Sequence, residues 1–323
     1  MSFIEVKDLK VHYPIRGGFF NKIIDYVYAV DGVSFIIEKG KTYGLVGESG
    51  SGKSTIGKAI IGLEKIKSGK IIYEGREIDR KFRNRRSEYN RNVQMIFQDS
   101  LSSLNPKKRV IDLISEPLRN FENLTLDEEK RKVSELLEIV GMNREDIFKY
   151  PHEFSGGQRQ RLGIARAVAT KPKLIIADEP VSALDLSVQA QVLNYMKDIQ
   201  EQFGLSYLFI SHDLGVVKHM CDYMFIMYHG RFVETGEKND IYKNPEHFYT
   251  KRLIAAIPEI HPEKRAENKR RRLKIEKEYL ANEKKYYDEN GRVFDLKKLT
   301  DTHFVAFKDK NLRNNGNNEK GGK

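Results

Sequence analysis

The sequence predicts an α/β fold built on a parallel sheet, and three observations predict it. First, the apolar stretch Tyr43-Gly44-Leu45-Val46 runs into Gly47-Glu48-Ser49-Gly50-Ser51-Gly52-Lys53-Ser54-Thr55 and then into a helical run, in the order strand, glycine-rich loop, helix. Second, Leu174-Ile175-Ile176-Ala177 reads as a buried parallel strand ending in two carboxylates, Asp178 and Glu179. Third, a region of period-2 alternation precedes these segments and a region of helical period separates them, which adds an antiparallel β subdomain and a helical subdomain.

The elements follow in chain order. From about Phe3 to Glu38 apolar and polar residues alternate around Gly17-Gly18, as antiparallel strands joined by a long basic hairpin do. Thr42 to Val46 is the strand before the loop and Ser54 to Leu63 the helix after it. Lys81 to Asn92 carries Arg83, Arg85, Arg86 and Arg91. It reads as a solvated helix or loop, and with no interleaved aromatics to stack on bases no nucleic-acid partner is expected. An alternating strand at Val93 to Ile96 leads to Gln98. The pattern is helical from Val110 to Gly141: Leu113, Ile114 and Leu118 with a break expected at Pro117, then Val133, Leu136, Leu137 and Val140 with Gly141 as a stop. A helix opens at Ser155-Gly156-Gly157, the sheet resumes at Leu174, and a helix from about Val188 to Phe203 precedes a strand at Tyr207 to Ile210.

After about His261 the character changes. The 18 basic and 11 acidic residues of this tail hold +7 of the chain's net +11, with the run Lys269-Arg270-Arg271-Arg272, a Lys/Glu helix-like segment to Tyr287 and an Asn/Gly-rich end from Asn311. Such a tail fits contact with anionic lipid or a partner ATPase, or a helix packed on the core followed by a disordered end. Phe304, Val305 and Phe307 near His303 point to docking of part of it. The expected organisation is a main domain over residues 1–260, with a helical subdomain inserted at about 99–170, and a basic extension over 261–323.

Composition sets bounds. A chain of 323 residues that is 39% apolar can build one large core with appendages. No run of about 18 apolar residues occurs, so no spanning helix is expected. The polar, acidic start Met1 to Asp8 is unlike a secretion signal. Cys221 is the single cysteine, which excludes an intrachain disulfide and argues against a cysteine-based metal site; it reads as a core thiol.

The glycine-rich loop carries the chemistry. Gly47, Gly50 and Gly52 let the backbone of Gly47 to Thr55 curl so that N–H groups point inward at phosphate oxygens, and the following helix adds its positive end. Lys53 can reach the β and γ phosphates, and the Ser54 hydroxyl can take a position on Mg²⁺, so ATP and Mg²⁺ are the expected ligands. Asp178, at the carboxyl end of its strand, would meet Mg²⁺ directly or through water, and Glu179 would polarise the attacking water.

The segment Phe154-Ser155-Gly156-Gly157-Gln158-Arg159-Gln160-Arg161 resembles the signature sequence of the ATP-binding-cassette (ABC) family, with Phe154 where Leu is commoner. Serine and paired glycines at a helix N-terminus form a second anion site. The resemblance implies a RecA-like ABC nucleotide-binding domain in which Ser155, Gly156, Gly157 and Gln158 act on ATP held by an opposite subunit. It further implies Gln98 as a contact to Mg²⁺ and the attacking water, Asp185 as the acid of the dimer-interface loop, and His212 as the histidine at the γ-phosphate. Tyr13 resembles the aromatic that stacks on adenine, with Phe19, Phe20, Tyr26 and Tyr28 as alternatives.

Two further stretches, Phe97 to Pro106 and Asn244 to Leu253, resemble ATPases of peptide and nickel importers, and the absence of a cysteine cluster resembles the F-type subunits of oligopeptide permeases. That likeness implies an ATPase coupled to peptide transport, peripheral on the cytoplasmic face of the cell membrane. It implies as partners a second ABC ATPase in a heterodimer, two membrane permease subunits and an extracytoplasmic peptide-binding protein. Dipeptides or nickel are alternative cargoes. A soluble non-transport ABC ATPase and a regulatory ATP-binding subunit are readings from other classes.

Overall fold

The computed structural model describes residues 2–18, 20–79, 88–99, 103–257 and 265–308. Arg83, Arg85 and Arg86 of the basic segment, residues 100–102, Phe19, Lys264 and the Asn/Gly-rich end lie outside the described residues. The chain divides into two compact units, Met1–Arg231 and Phe232–Lys323, and the change of composition near residue 261 lies inside the second.

In the first unit, β1 (Ser2–Gly17) and β2 (Lys22–Glu38) form the expected hairpin, closed by Asn21 N–H donating to Gly18 O at 3.1 Å. With β4 (Ser68–Tyr73) and β5 (Arg76–Glu77) they make an antiparallel sheet in the order β2-β1-β4-β5. A second sheet is parallel, in the order β9-β3-β8-β7-β6, from β9 (Tyr223–Tyr228), β3 (Thr42–Val46), β8 (Ser206–Ser211), β7 (Leu174–Asp178) and β6 (Val93–Ile96). Every residue of β3, β7 and β8 is buried, as strands covered on both faces must be. Helices cover this sheet so closely that a Cβ on Gly44 of β3 would sit 2.6 Å from Val217 Cγ1 and 3.0 Å from Cys221 Sγ; Cys221 is a buried core thiol.

The helical subdomain is built from the helices Val110–Arg119, Leu126–Ile139 and Gly156–Val168. The middle one opens with a capping box between Thr125 and Glu128, and Arg119 grips the buried Glu129 with two bonds of 2.6 Å. The expected break at Pro117 is absent: the helix Val110–Arg119 runs through it. Pro117 stands two residues before the helix end, so the missing N–H costs one bond, while Leu113, Ile114 and Leu118 are each 1–2% exposed and hold the helix from both sides of the proline. Gly141 does stop the next helix, with φ +68° and its N–H on Glu138 O at 2.9 Å.

In the second unit, β10 (Arg231–Glu237), β12 (Phe304–Ala306) and β11 (Leu296–Lys298) pair antiparallel, in that order. Buried Val305 and Ala306 show how this part of the tail packs. The charge-rich segment forms the helix Arg265–Asn282, held to the helix Phe248–Ala256 by Arg272 donating to the carbonyls of Ala255 and Ala256. Glu234, fully buried, accepts from the N–H groups of Glu246 and His247 and lies 2.7 Å from His303 Nε2.

Candidate active site

Between β3 and the helix Lys53–Ile61 the chain folds back on itself, with Gly50 and Gly52 at φ +80° and +104°. Gly52 is irreplaceable on packing grounds, because a Cβ there would lie 1.9 Å from Ala29 O. Gly47 is confined likewise, at 2.2 Å from Met227 O. Lys53, 4% exposed, donates to the carbonyls of Gly47 at 2.8 Å and Glu48 at 2.7 Å. Burial holds its ammonium below the ordinary lysine pKa, partly offset by Glu179, Asp178 and Glu48. Its cationic head is therefore wrapped in the loop that it would share with a triphosphate.

Ser54, one residue on, donates to Asp178 Oδ1 at 2.7 Å across 124 positions of sequence. Burial raises the Asp178 carboxyl above its ordinary range, and the Ser54 hydroxyl pulls it partly back. A hydroxyl and a carboxylate meeting beside the loop are the hard oxygen donors that Mg²⁺ prefers. Glu179 leaves the strand with φ +47°, a left-handed conformation uncommon for a side chain of its kind, fixed by its N–H donating to Ile210 O at 2.9 Å. Its two carboxylate oxygens are separately engaged: Gln98 Nε2 donates to Oε2 at 2.8 Å and His212 Nδ1 stands 3.1 Å from Oε1. Three residues read as separate strand ends in the sequence thus form one hydrogen-bonded group. A cavity of about 50 Å³ lined by Glu179, Ser182, Ser211 and His212 adjoins it, with room for a water.

Tyr13, on β1, has Thr55 and Glu64 of the loop's helix as neighbours, and burial first of all raises its phenol above the ordinary range. Of the alternatives, Tyr28 instead meets the His12 ring edge to face at 4.6 Å, and Phe20 is 79% exposed near the hairpin turn. Ser155 caps the helix Gly156–Val168 in a reciprocal box, its hydroxyl accepting from Gln158 N–H and its own N–H donating to the Gln158 side chain. Asp185 caps the helix Leu186–Phe203 and accepts from Ser187 Oγ at 2.7 Å and Val188 N–H at 3.0 Å, bonds that hold its carboxyl below the usual range. A Cβ on Gly157 would lie 2.6 Å from Val188 Cγ1, so these two caps neighbour one another. Their hydrogen bonds run within their own caps, whereas Lys53 bonds the loop's carbonyls, Ser54 bonds Asp178, and Gln98 and His212 meet at Glu179, the next residue. Sequence reasoning missed the parts that brace the loop from outside, Ala29, Met227 and Gly230, which carry no motif of their own.

Residues 30–182 match the ABC transporter family and residues 233–289 the C-terminal region of oligopeptide/dipeptide transporters. The chain is 56% identical over 305 residues, 94% of its length and 96% of the other's, to the oligopeptide transport ATP-binding protein OppF of Lactococcus lactis subsp. lactis. It is 45% identical over 264 residues, 82% of this chain and 79% of the other, to the dipeptide transport ATP-binding protein DppF of Escherichia coli. Among solved structures, the dimeric post-hydrolysis state of the ATP-binding cassette MJ0796 bound to ADP and phosphate superposes with a TM-score of 0.64 at 24% identity, over 73% of this chain and 98% of that one, and establishes a common fold.

Proposed function

The chain belongs to the ABC transporter family of ATP-binding proteins, and on that footing we propose that it is the ATP-hydrolysing subunit of an importer, powering uptake of oligopeptides through membrane-spanning permeases. The observation that carries the reading is the hydrogen-bonded group of Gln98, Glu179 and His212 beside an intact phosphate loop. The same role for dipeptides is favoured by one observation, the match of the C-terminal region to a family that covers both cargoes.

In this reading the N–H groups of Gly47 to Thr55 bind the phosphates of ATP, and Lys53 exchanges the carbonyls of Gly47 and Glu48 for phosphate oxygens. Ser54, Asp178 and Gln98 would hold Mg²⁺, which when bound would neutralise phosphate charge. Glu179, steadied by Gln98 and His212, takes the proton of the attacking water. Tyr13 stacks on adenine. Two ATPase subunits pair head to tail, this chain and a second ABC ATPase, each placing the equivalent of Ser155, Gly156, Gly157 and Gln158 on the other's ATP, with Asp185 at the interface. A γ-phosphate bridging both halves gives ATP differential affinity for the closed form. Gln98 and the helical subdomain would transmit the motion to the permeases; beside them lies a groove of about 590 Å³ lined by Ile61, Phe97, Leu104, Pro117 and Phe121. The subunit would sit on the cytoplasmic face of the membrane; no helix among the described residues is long and apolar enough to cross one.

The test is co-purification of the Glu179→Gln chain from its native cell in mild detergent with Mg-ATP, followed by mass spectrometry. Recovery of a second ABC ATPase and two multi-span membrane proteins is the expected outcome. Recovery of the chain alone, or with ribosomes or DNA-bound proteins, would overturn the transport reading.

A further inference from the structure

The phosphate loop and the antiparallel ribbon that carries Tyr13 are joined by a turn that belongs to neither. Gly230, just beyond β9, donates its N–H to Ser51 O at 3.0 Å, and its own carbonyl accepts from Asp31 N–H of β2 at 2.9 Å. One residue therefore bridges the ribbon and the loop through the two peptide groups that flank it. The turn is in an unusual conformation, with His229 at φ +42° and Gly230 at +80°. A Cβ on Gly230 would lie 2.5 Å from Tyr28 O and 3.3 Å from Ala29 O, so the ribbon's backbone presses directly on this glycine. Beside it Asp31 faces Arg231 Nη1 at 3.5 Å and His12 Nε2 at 3.7 Å, all three side chains only 12–13% exposed.

The ribbon thus meets the loop where Ala29 O backs Gly52 and, through the Gly230 turn, at Ser51, and these contacts set how far its aromatic end stands from the phosphate cradle. We infer that Gly230, with Asp31 and Arg231 behind it, is a nucleotide-positioning element that sets the spacing between the base site and the phosphate site. Gly230 touches no phosphate or base in this reading; it acts through Ser51 on one side and β2 on the other. The inference rests on the proposal that the loop binds ATP and that the ribbon supplies the base contact.

The consequence is separable from loop integrity, because the atoms that an added methyl would strike belong to the ribbon and not to the loop. Calorimetry on the full chain with Mg-ATP and, separately, with magnesium tripolyphosphate reads the two sites apart. Gly230→Ala should weaken ATP by about 10- to 100-fold, the scale of one lost base–aromatic stack, and leave tripolyphosphate within about twofold. Steady-state kinetics should show the same change in KM with kcat much less affected. Arg231→Gln, which adds nothing to the turn, should move ATP binding in the same direction by a smaller factor, and it serves if the glycine variant does not fold. Equal weakening of both ligands, or an unchanged ATP affinity in both variants, would overturn the inference. If the unaltered chain binds neither ligand, the ATP reading fails and takes the inference with it; if it binds both and the variants do not discriminate, only the inference fails.

Discussion

Replacing Glu179 with Gln separates binding from chemistry at this site, and the structure says how large the separation should be. The amide is isosteric, and its oxygen can still accept from Gln98 Nε2, the 2.8 Å bond that fixes one side of the carboxylate. The other side faces His212, whose side chain is 55% exposed and can turn away at small cost. The left-handed φ of +47° is imposed by the bond to Ile210 O and is indifferent to the change. What is lost is the basicity of the group, and general-base catalysis is worth about 10²- to 10⁴-fold in rate, or about 2.7–5.4 kcal/mol at 1.36 kcal/mol per decade. Lys53 and Ser54 do not bond the Glu179 side chain, so ATP affinity should stay within a few-fold. The assay is steady-state Mg-ATPase in the presence of the partner subunit, with calorimetric ATP binding alongside. Turnover within tenfold of the unaltered chain would refute the assignment of Glu179 as base, and loss of ATP binding would refute the claim that the loop is independent of it.

Lys53→Met should abolish measurable ATP binding in calorimetry and also lower stability by about 1–3 kcal/mol in denaturant unfolding, because the Gly47 and Glu48 carbonyls lose their buried donor. Gly141→Ala should destabilise by about 2–5 kcal/mol, from a left-handed φ and a Cβ placed 2.1 Å from Tyr195 Oη; adding Tyr195→Leu should recover the packing part alone in a thermal melt. Glu234 holds the His303 imidazolium and raises its pKa above the ordinary value. The stability it contributes is therefore complete below the unfolded-state pKa of about 6.5 and is lost as pH rises through the higher folded value. Urea melts across that window should show the slope, and His303→Gln should flatten it. A pH slope that persists in His303→Gln would exclude the pair as its source.

Much of the fold was legible because its signals are local. Continuous apolar runs at Leu174 to Ala177 and Tyr207 to Ile210 announce strands buried on both faces, and the motif at Gly47 to Thr55 comes with its strand and its helix. The helix caps at Thr125, Ser155 and Asp185 each stand beside the residues they serve. What was not legible depends on contacts distant in sequence. Pro117 stays in a helix because the surrounding core holds it there, against its own tendency. The short strands β11 and β12 have little pattern of their own and exist through pairing, β12 with β10 and β11 with β12. At the site, residue types identified Glu179 and His212, yet their meeting with Gln98 follows from the order of strands in the sheet. Nothing near Ala29, Met227 or Gly230 announces that these backbones wall in a loop some 20 or 180 residues away in sequence.

The contact of Gly157 with Val188 has a bearing on where the two nucleotides sit. Five residues separate Glu179 from Asp185, and Gln189 pins the intervening turn by donating to the carbonyls of Val181 and Leu184 at 3.0 and 2.9 Å. Gly157 is pressed against that pinned turn's exit. In the paired arrangement proposed above, the phosphate gripped at Gly157 is the neighbour's fuel and the base at Glu179 works on the chain's own. Only the five residues from Pro180 to Leu184 then lie between the base on the chain's own nucleotide and the acid at the neighbour's, so in that arrangement the two nucleotides sit at the two ends of one pinned turn.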